Sequence, residues 1–534
     1  MVDTVREIER KYAAADETQL PDLTGVPRIA SVVERGAVDL DAVYYDTAEQ
    51  LLAADGITLR RRTGGEDAGW HLKLPVAPGV RDEIRAALSD EPPGDLTALV
   101  RSRVLGRALV PVIRLRTRRT VRILQDAAGT PLAEVAVDAV RARRVFPGAS
   151  AEVGWHEIEV ELTGTGEGPG EGEGAGTGGS AGAELLDAVE RALATAGIHP
   201  AGSASKLARA LAETAPEGRP AQQDGARPPG ARRRKHGTKA PAAGDVVLRY
   251  VRAQMRAIIE LDPAVRRDLP DAVHRMRVAT RRLRSAFRSY TKVLDRDVTR
   301  PIGCELKWLA GELGKERDQE VLTERLRVGL AELPGTLQLG PVAARLRIWS
   351  QRSRLVARQE LMAELDGARY LALLESLHAL LEDPPLLKAA ARPAPEVLAK
   401  AVLKDYRRLA GRMATALDTP AGPGRDEALH RARKAAKRTR YAAEAARPAL
   451  GKPAKKFTRR TKRVQQLLGD HHDSVVARAT LRELALQAHR AGEGGFTFGL
   501  LFGREEARAA RHERELPARW KKASRRKLRK ALRP

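Results

Sequence analysis

The sequence holds a single cysteine, Cys304, in 534 residues. No intrachain disulfide can form, so packing and polar contacts must hold the fold. Aromatic residues make up 4% of the chain, and few lie among its basic clusters. That leaves little material for stacking on unpaired bases. No run of about 18 apolar residues is present to span a bilayer. Met1 to Tyr12 contains no apolar core of a secretory leader. The expected location is the cytoplasm. The length exceeds one ordinary core, so two or three domains are expected.

What is abundant is positive charge, and it is unevenly placed. Residues 1–215 carry 25 Lys and Arg against 33 Asp and Glu, whereas residues 216–534 carry 70 against 36. The second part calls for a polyanion, and nucleic acid, inorganic polyphosphate and anionic lipid all qualify.

Period-2 alternation marks strands at Ile8 to Tyr12, Thr58 to Arg62, Trp70 to Leu74 and His156 to Leu162. Residues 164–182 hold ten glycines in nineteen positions, the composition of a flexible insertion. Ala183 to Ala196 and Ala204 to Ala212 read as helical. Residues 215–243, rich in Pro, Gly, Arg and Lys, are the expected linker between domains. Beyond it, apolar spacings of 3 and 4 predict helices. Pro420 to Gly424 is expected to break that half in two, and Pro517 to Pro534 reads as a basic tail.

Charges within the early strands are segregated by sign. Glu7, Glu9 and Lys11 share one strand face, as do Arg60 and Arg62, His71 and Lys73, Arg81 and Glu83, and Glu157, Glu159 and Glu161. Five arginines fall between Arg114 and Arg122. Solvated sheet faces would account for any one strand. Three glutamates on one face, however, repel one another unless a cation sits between them. A closed barrel with these faces inward would set carboxylates opposite cations, an interior suited to metal ions and a phosphate chain.

The opening Glu7-Ile-Glu-Arg-Lys11 resembles the ExExK signature of CYTH domains, the triphosphate tunnel metalloenzymes. The likeness extends from Val2 to about Glu213. It takes in Tyr44-Tyr-Asp-Thr47, Leu59-Arg-Arg-Arg62, Trp70 to Pro75, Arg119, Asp138, Glu157-Ile-Glu-Val-Glu161 and Ser205-Lys206. The resemblance implies an eight-stranded antiparallel tunnel that binds a triphosphate and one or two divalent ions, Mg²⁺ or Mn²⁺. By position, Glu7, Glu9, Glu157 and Glu159 would serve the metals, with Glu161 and Asp138 as further carboxylates. Lys11, Arg60, Arg62, Lys73, Arg119 and Lys206 would hold phosphates. Glu7, Glu9 and Lys11 are the expected catalytic group.

The basic part contains an internal duplication. From His274 and from His430, cations recur at +1, +3, +7, +8 and +10. Leu313-Gly-Lys-Glu-Arg-Asp318 and Leu468-Gly-Asp-His-His-Asp473 follow at nearly the same offset, giving a repeat of about 155 residues. His274, Arg277, Arg281 and Arg284 share one helix face, as do His430, Arg433, Lys437 and Arg440. Arg282 and Arg438, at +8, are counted with them. Met276, Thr280, Leu283 and Phe287 form the stripe that packs inward.

This part resembles the CHAD domain, an α-helical domain named for conserved histidines. The resemblance implies two pseudo-symmetric four-helix bundles around a basic groove that binds inorganic polyphosphate, and a place at cytoplasmic polyphosphate granules. The expected fold class is α+β: a β tunnel with helices at residues 1–214, then an all-α domain at residues 244–530 divided at about residue 400. The leading reading is a metal-dependent triphosphatase fused to a polyphosphate-binding module. A non-catalytic polyphosphate-binding protein and a nucleic-acid-binding protein stand beside it, with a cyclase behind them.

Overall fold

The computed structural model describes residues 3–15, 18–148, 151–163, 178–215 and 240–533. The glycine-rich stretch at 164–177 and most of the expected linker, 216–239, lie outside the described residues. Contacts divide the chain into two compact units, Met1–Arg232 and Arg233–Pro534.

The first unit is a closed antiparallel barrel. Its strands are β1 (Asp3–Ala14), β2 (Ser31–Asp46), β3 (Thr58–Thr63), β4 (Gly69–Ala77), β5 (Val80–Ala86), β6 (Val110–Gln125), β7 (Pro131–Arg144) and β8 (Val153–Leu162), in the order β1-β5-β4-β3-β2-β6-β7-β8. Alternation sends one face of each strand inward. Here the inward faces are charged and the outward faces are apolar. Leu59, Trp70, Leu72, Leu74 and Ile84 are buried outside the wall, beneath α1 (Leu51–Ala54) and α2 (Gly94–Val104). Tyr12, Val135, Ile158 and Val160 are buried beneath α3 (Gly178–Thr195).

One end of the interior is plugged by α4 (Lys206–Glu213), whose Leu207 and Ala210 pack on Leu115, Val140 and Trp155. Ser205 caps this helix by accepting from the Ala208 amide at 3.1 Å, which fixes where Lys206 begins. The Tyr44-Tyr-Asp-Thr47 motif has a structural task as well. Buried Asp46 accepts from the amides of Thr47, Leu52 and Ala53 at 2.7–2.9 Å and so seats α1.

The second unit is all-helical: α5 (Ala243–Arg266), α6 (Ala272–Ser289), α7 (Arg296–Ala331), α8 (Val342–Asp366) and α9 (Ala368–Glu382), then α10 (Ala394–Asp418), α11 (Pro423–Ala445), α12 (Arg447–Arg490), α13 (Phe496–Ala523) and α14 (Arg526–Lys530). Helices α5–α8 and α10–α13 form two four-helix sets with the same order of packing. The inward stripe of α6 is buried as its spacing requires: Met276, Thr280, Leu283 and Phe287.

Two boundaries differ from the sequence reading. The break between the copies falls at residues 383–393, between α9 and α10, and not at Pro420–Gly424. That segment is the turn joining α10 to α11, with Gly422 at φ 128° and Pro423 opening the helix. The basic tail is helical too, because α13 runs through Pro517 to Ala523 and α14 follows.

The copies meet along α6 and α11. Asp405 of α10, 2% exposed, accepts from Ser289 Oγ at 2.5 Å and pairs with Arg438 at 2.8 Å. Tyr290 Oη donates to the Ala442 carbonyl at 2.5 Å, and Arg282 pairs with Glu444. Removing one partner of such a pair leaves an uncompensated buried charge, so Asp405→Ala should destabilise the helical unit by about 3–5 kcal/mol. Urea unfolding followed by helical circular dichroism measures the loss, and a shift below 1 kcal/mol would contradict a buried seam.

Candidate functional site

The interior of the barrel is a cavity of about 230 Å³ lined almost entirely by ionisable groups. Cross-strand register explains the lining. Lys11 lies opposite Glu159, Glu9 opposite Glu161, Lys73 opposite Glu83, and Arg119 opposite Asp138, itself opposite Glu157. Most of these charges are satisfied by one another. Arg119 grips Asp138 through two bonds of 2.8 and 2.7 Å and reaches Glu159 at 2.5 Å. Lys206 enters from the plugged end and lies 2.9, 2.8 and 2.6 Å from Asp138, Glu157 and Glu159. Lys11 pairs with Glu159 and, at 3.1 Å, with Glu9. Lys73 pairs with Glu7 at 2.7 Å.

A second hub is Glu83, 1% exposed. It binds His71 Nδ1 at 2.8 Å and Arg85 at 2.5 Å, with Lys73 and Arg60 at 3.5 and 3.6 Å. Burial pushes the His71 imidazole down to about 4, whereas its two ring nitrogens face two acceptors, Glu83 and the Asp67 carbonyl at 2.9 Å, which only the protonated ring satisfies in full. In the sequence Glu83 is one alternating charge among several. Its importance lies in four partners that come from three strands.

Two corners of the cavity are unbalanced. On the cationic side, Arg60 and Arg62 each keep a buried Nε without an acceptor. Burial, then the neighbouring Arg60 and Arg119, push the Arg62 guanidinium down to about 9. On the anionic side, Glu161 faces Glu9 across the β1–β8 ladder and has no ion pair among the described residues. Burial first, then Glu7, Glu9 and Glu159, push the Glu161 carboxyl up to about 7. An excess of carboxylate at one end and of guanidinium at the other is the donor set of a divalent cation next to an oxyanion.

Asp138, Glu157 and Glu159 also lie close enough together to hold a metal ion. Lys206 and Arg119 already neutralise that trio, however. Glu7, Glu9 and Glu161 line the cavity away from Lys206, with Glu7 paired to Lys73 and Glu9 to Lys11. Of the sequence candidates for metal, Asp138 and Glu157 thus sit at the lysine end. Tyr44, whose Oη accepts from Arg60 at 3.4 Å, and Arg81, 3.9 Å from Glu9, also line the cavity.

In the helical unit the duplicated ridges converge. Arg277 binds Asp318 through two bonds of 2.7 and 2.9 Å, and Arg433 pairs with Asp473 at 3.6 Å. The glycine of the first Leu-Gly motif makes room: a Cβ at Gly314 would lie 3.0 Å from the Arg277 guanidinium. His430 and His472 bring their Nδ1 atoms to 3.2 Å. The Nε atoms of Arg277 and Arg433 are buried without an acceptor.

Burial, then Arg281, Arg433 and Arg277, push the Lys437 ammonium down to about 6. His430 and His472 are each held down to about 4, by burial and then by adjoining cations. The cleft thus gathers basic groups that oppose one another's charge.

The remaining ridge candidates are placed differently. His274 stands exposed at the start of α6, and Arg284 donates to the Gly303 carbonyl at 3.2 Å. Arg440 donates to Gln465 at 2.6 Å. Arg282 and Arg438 belong to the seam between the copies and are not part of the cleft.

A second possible ligand set, Asp426, His471 and Glu513, is better explained as an ion-pair tie. Arg478 holds Asp426 and Arg425 holds Glu513, both at 3.1 Å. In the first copy the position of His471 is taken by Glu316, 3.7 Å from Arg358, a tie of opposite polarity.

Family comparisons agree with this division. A CYTH domain model matches residues 5–170 and a CHAD domain model matches residues 249–482. The Mycobacterium tuberculosis protein named "Uncharacterized protein Rv2226" is 37% identical over 99% of this chain and 97% of its own length. The chain belongs to the CYTH–CHAD proteins. Among solved structures, PptA from Streptomyces chartreusis is 23% identical over 52% of this chain and 99% of its own, with a TM-score of 0.45. The CHAD domain from Ricinus communis is 26% identical over 55% of this chain and 93% of its own, with a TM-score of 0.40. No helix among the described residues is long and apolar enough to cross a membrane.

The CHAD cleft generates a stability prediction. A lysine whose pKa is lowered on folding is charged in the unfolded chain but resists charge in the native one. Its penalty is absent above the unfolded value of about 10.4 and grows as pH falls towards about 6. Lys437→Met should therefore stabilise the helical unit at pH 7 by about 1–4 kcal/mol, and the gain should shrink by pH 10. Thermal unfolding at both pH values tests this, and destabilisation at pH 7 would refute it.

Proposed function

We propose that the CYTH barrel is a metal-dependent triphosphatase and that the CHAD unit binds inorganic polyphosphate. The observation that carries the first part is the polarity of the cavity. Arg60 and Arg62, each with a buried Nε that lacks an acceptor, lie at one side and the unpaired Glu161 carboxylate, with Glu7 and Glu9, at the other. A triphosphate carries roughly −4 to −5 charge at neutral pH, which slows attack by water unless that charge is offset.

Arg60, Arg62 and Arg119 would grip phosphate oxygens in bidentate fashion, and Lys11, Lys73 and Lys206 would add point charges. Glu7, Glu9 and Glu161, with Glu159, would hold the divalent ion, Mg²⁺ or Mn²⁺. That ion would neutralise phosphate oxygens and acidify water in the cavity. His71, clamped between Glu83 and the Asp67 carbonyl at 2.8 and 2.9 Å, positions Glu83 and through it Arg60 and Lys73. Cationic groups fixed before substrate arrives spend no energy reorganising during hydrolysis.

The second part rests on the convergent ridges, where burial and then neighbouring cations, Arg277 among them, oppose the charge of Arg281, Arg433 and Lys437. Few aromatic side chains lie near them, which suits bare phosphates better than bases. A protein of this kind belongs in the cytoplasm, beside polyphosphate.

Purified full-length protein with Mg²⁺ or Mn²⁺ should release phosphate from tripolyphosphate. Glu7→Ala/Glu9→Ala should lower the rate on the order of a hundredfold or more. Absence of release from any small triphosphate would leave a binding protein. The chain should also retain long polyphosphate in salt that strips duplex DNA from it, and equal retention would favour nucleic acid.

A further inference from the structure

The two copies of the CHAD unit serve as an internal comparison, since one ancestral helix now exists in two versions. Residues 292–314 of the first copy correspond to residues 447–469 of the second. The first stretch contains four cations and four carboxylates, whereas the second contains eight cations and no carboxylate. The difference is concentrated on the outer face. Cys304, Glu305 and Trp308 in α7 correspond to Arg459, Arg460 and Arg463 in α12.

In the first copy part of this face is covered, with Cys304 left exposed. Arg369 of α9 stacks over Trp308 at 4.3 Å and pairs with Glu305 at 2.6 Å. In the second copy Lys452, Lys455, Lys456, Arg459, Lys462 and Arg463 are all exposed. None has a carboxylate or side-chain acceptor among the described residues. Ala454, Phe457, Thr461 and Val464 bury the opposite face, so helical spacing gathers these cations into one stripe about 16 Å long. Packing does not call for six like charges, and each repels the next. The neighbouring α14 adds Arg526, Lys527, Arg529 and Lys530 without an acid.

The stripe begins beside the end of the second ridge. Arg440, at the +10 end of the second ridge, donates to Gln465, one turn beyond Lys462 on α12. We propose that a polyphosphate chain seated in the cleft leaves it over this α12 stripe, so that the second copy alone carries an extended exit track. This rests on the polyphosphate reading of the CHAD unit. The stripe lacks exposed apolar residues for insertion into a lipid surface and aromatic residues for stacking on bases, and its spacing suits an unbranched polymer of phosphates. The track makes the two ends of the bound polymer unequal, and it engages only chains longer than the cleft.

The test uses the full chain and fluorescently labelled polyphosphate of ~100 phosphates, with affinity measured across a salt series. Lys455→Gln/Lys456→Gln/Arg459→Gln/Arg463→Gln should weaken binding on the order of tenfold and flatten the salt dependence. Circular dichroism and tripolyphosphate release should stay unchanged. Lys452→Gln/Lys462→Gln should act in the same direction with a smaller loss, and serves if the first variant folds poorly. Unchanged affinity and salt slope in the stripe variants, alongside a loss in Arg277→Ala/Arg433→Ala, would overturn the track and leave the cleft reading intact. Loss of duplex DNA binding with polyphosphate binding intact would overturn it in favour of nucleic acid. No binding of polyphosphate by the unaltered chain would overturn both.

Discussion

A buried charge must find a counter-charge, and both units of this chain are organised around that demand. The barrel turns the usual arrangement inside out. Its apolar residues face outward and are roofed by helices, so the interior is free to hold carboxylates, lysines and guanidinium groups. Pairing neutralises most of them, which is why the cavity does not collapse or flood with repulsion. The groups left over, Glu161 on one side and the Nε atoms of Arg60 and Arg62 on the other, describe in negative the ligand that would complete the set.

The helical unit meets the same demand by other means. Its cleft brings together cations from two copies of one motif, with Asp318 and Asp473 as partial compensation. The stability to support this cluster comes from the seam and from the helix tips. There Leu326, Leu330 and Leu346 share an apolar core with Leu481, Leu484 and Phe498. Binding and stability are in tension at Lys437, as at many sites that hold charge in readiness for a ligand.

Much of this was legible in the sequence, because strand alternation and helical spacing are strict. The faces bearing Glu7 and Glu9, Arg60 and Arg62, and Glu157, Glu159 and Glu161 do turn into one cavity, apart from Glu157 lying at the plugged end. The duplication placed Arg277, Arg281, Arg433 and Lys437 on matching faces. What escaped was anything set by long-range contact. Glu83 looks like any other strand charge until four partners meet on it. Arg282 and Arg438 recur in both copies, and repetition grouped them with the ridge. The +8 position, however, is rotated about 80° from the histidine on a helix, which turns it into the seam. Pro420–Gly424 resembled a domain break because a helix turn and a domain boundary use the same residues.

Lys206 sits outside all eight strands, on a plug that follows them in the chain. It neutralises three carboxylates contributed by β7 and β8. Order of synthesis therefore differs from order of completion. When the last strand has been made, its wall still carries Asp138, Glu157 and Glu159 without their shared ammonium. The CYTH match ends at residue 170, short of that group. A fragment cut there would have every strand of the tunnel and an electrostatically unfinished floor. The smallest self-sufficient barrel is thus defined by a charge, and it extends to α4.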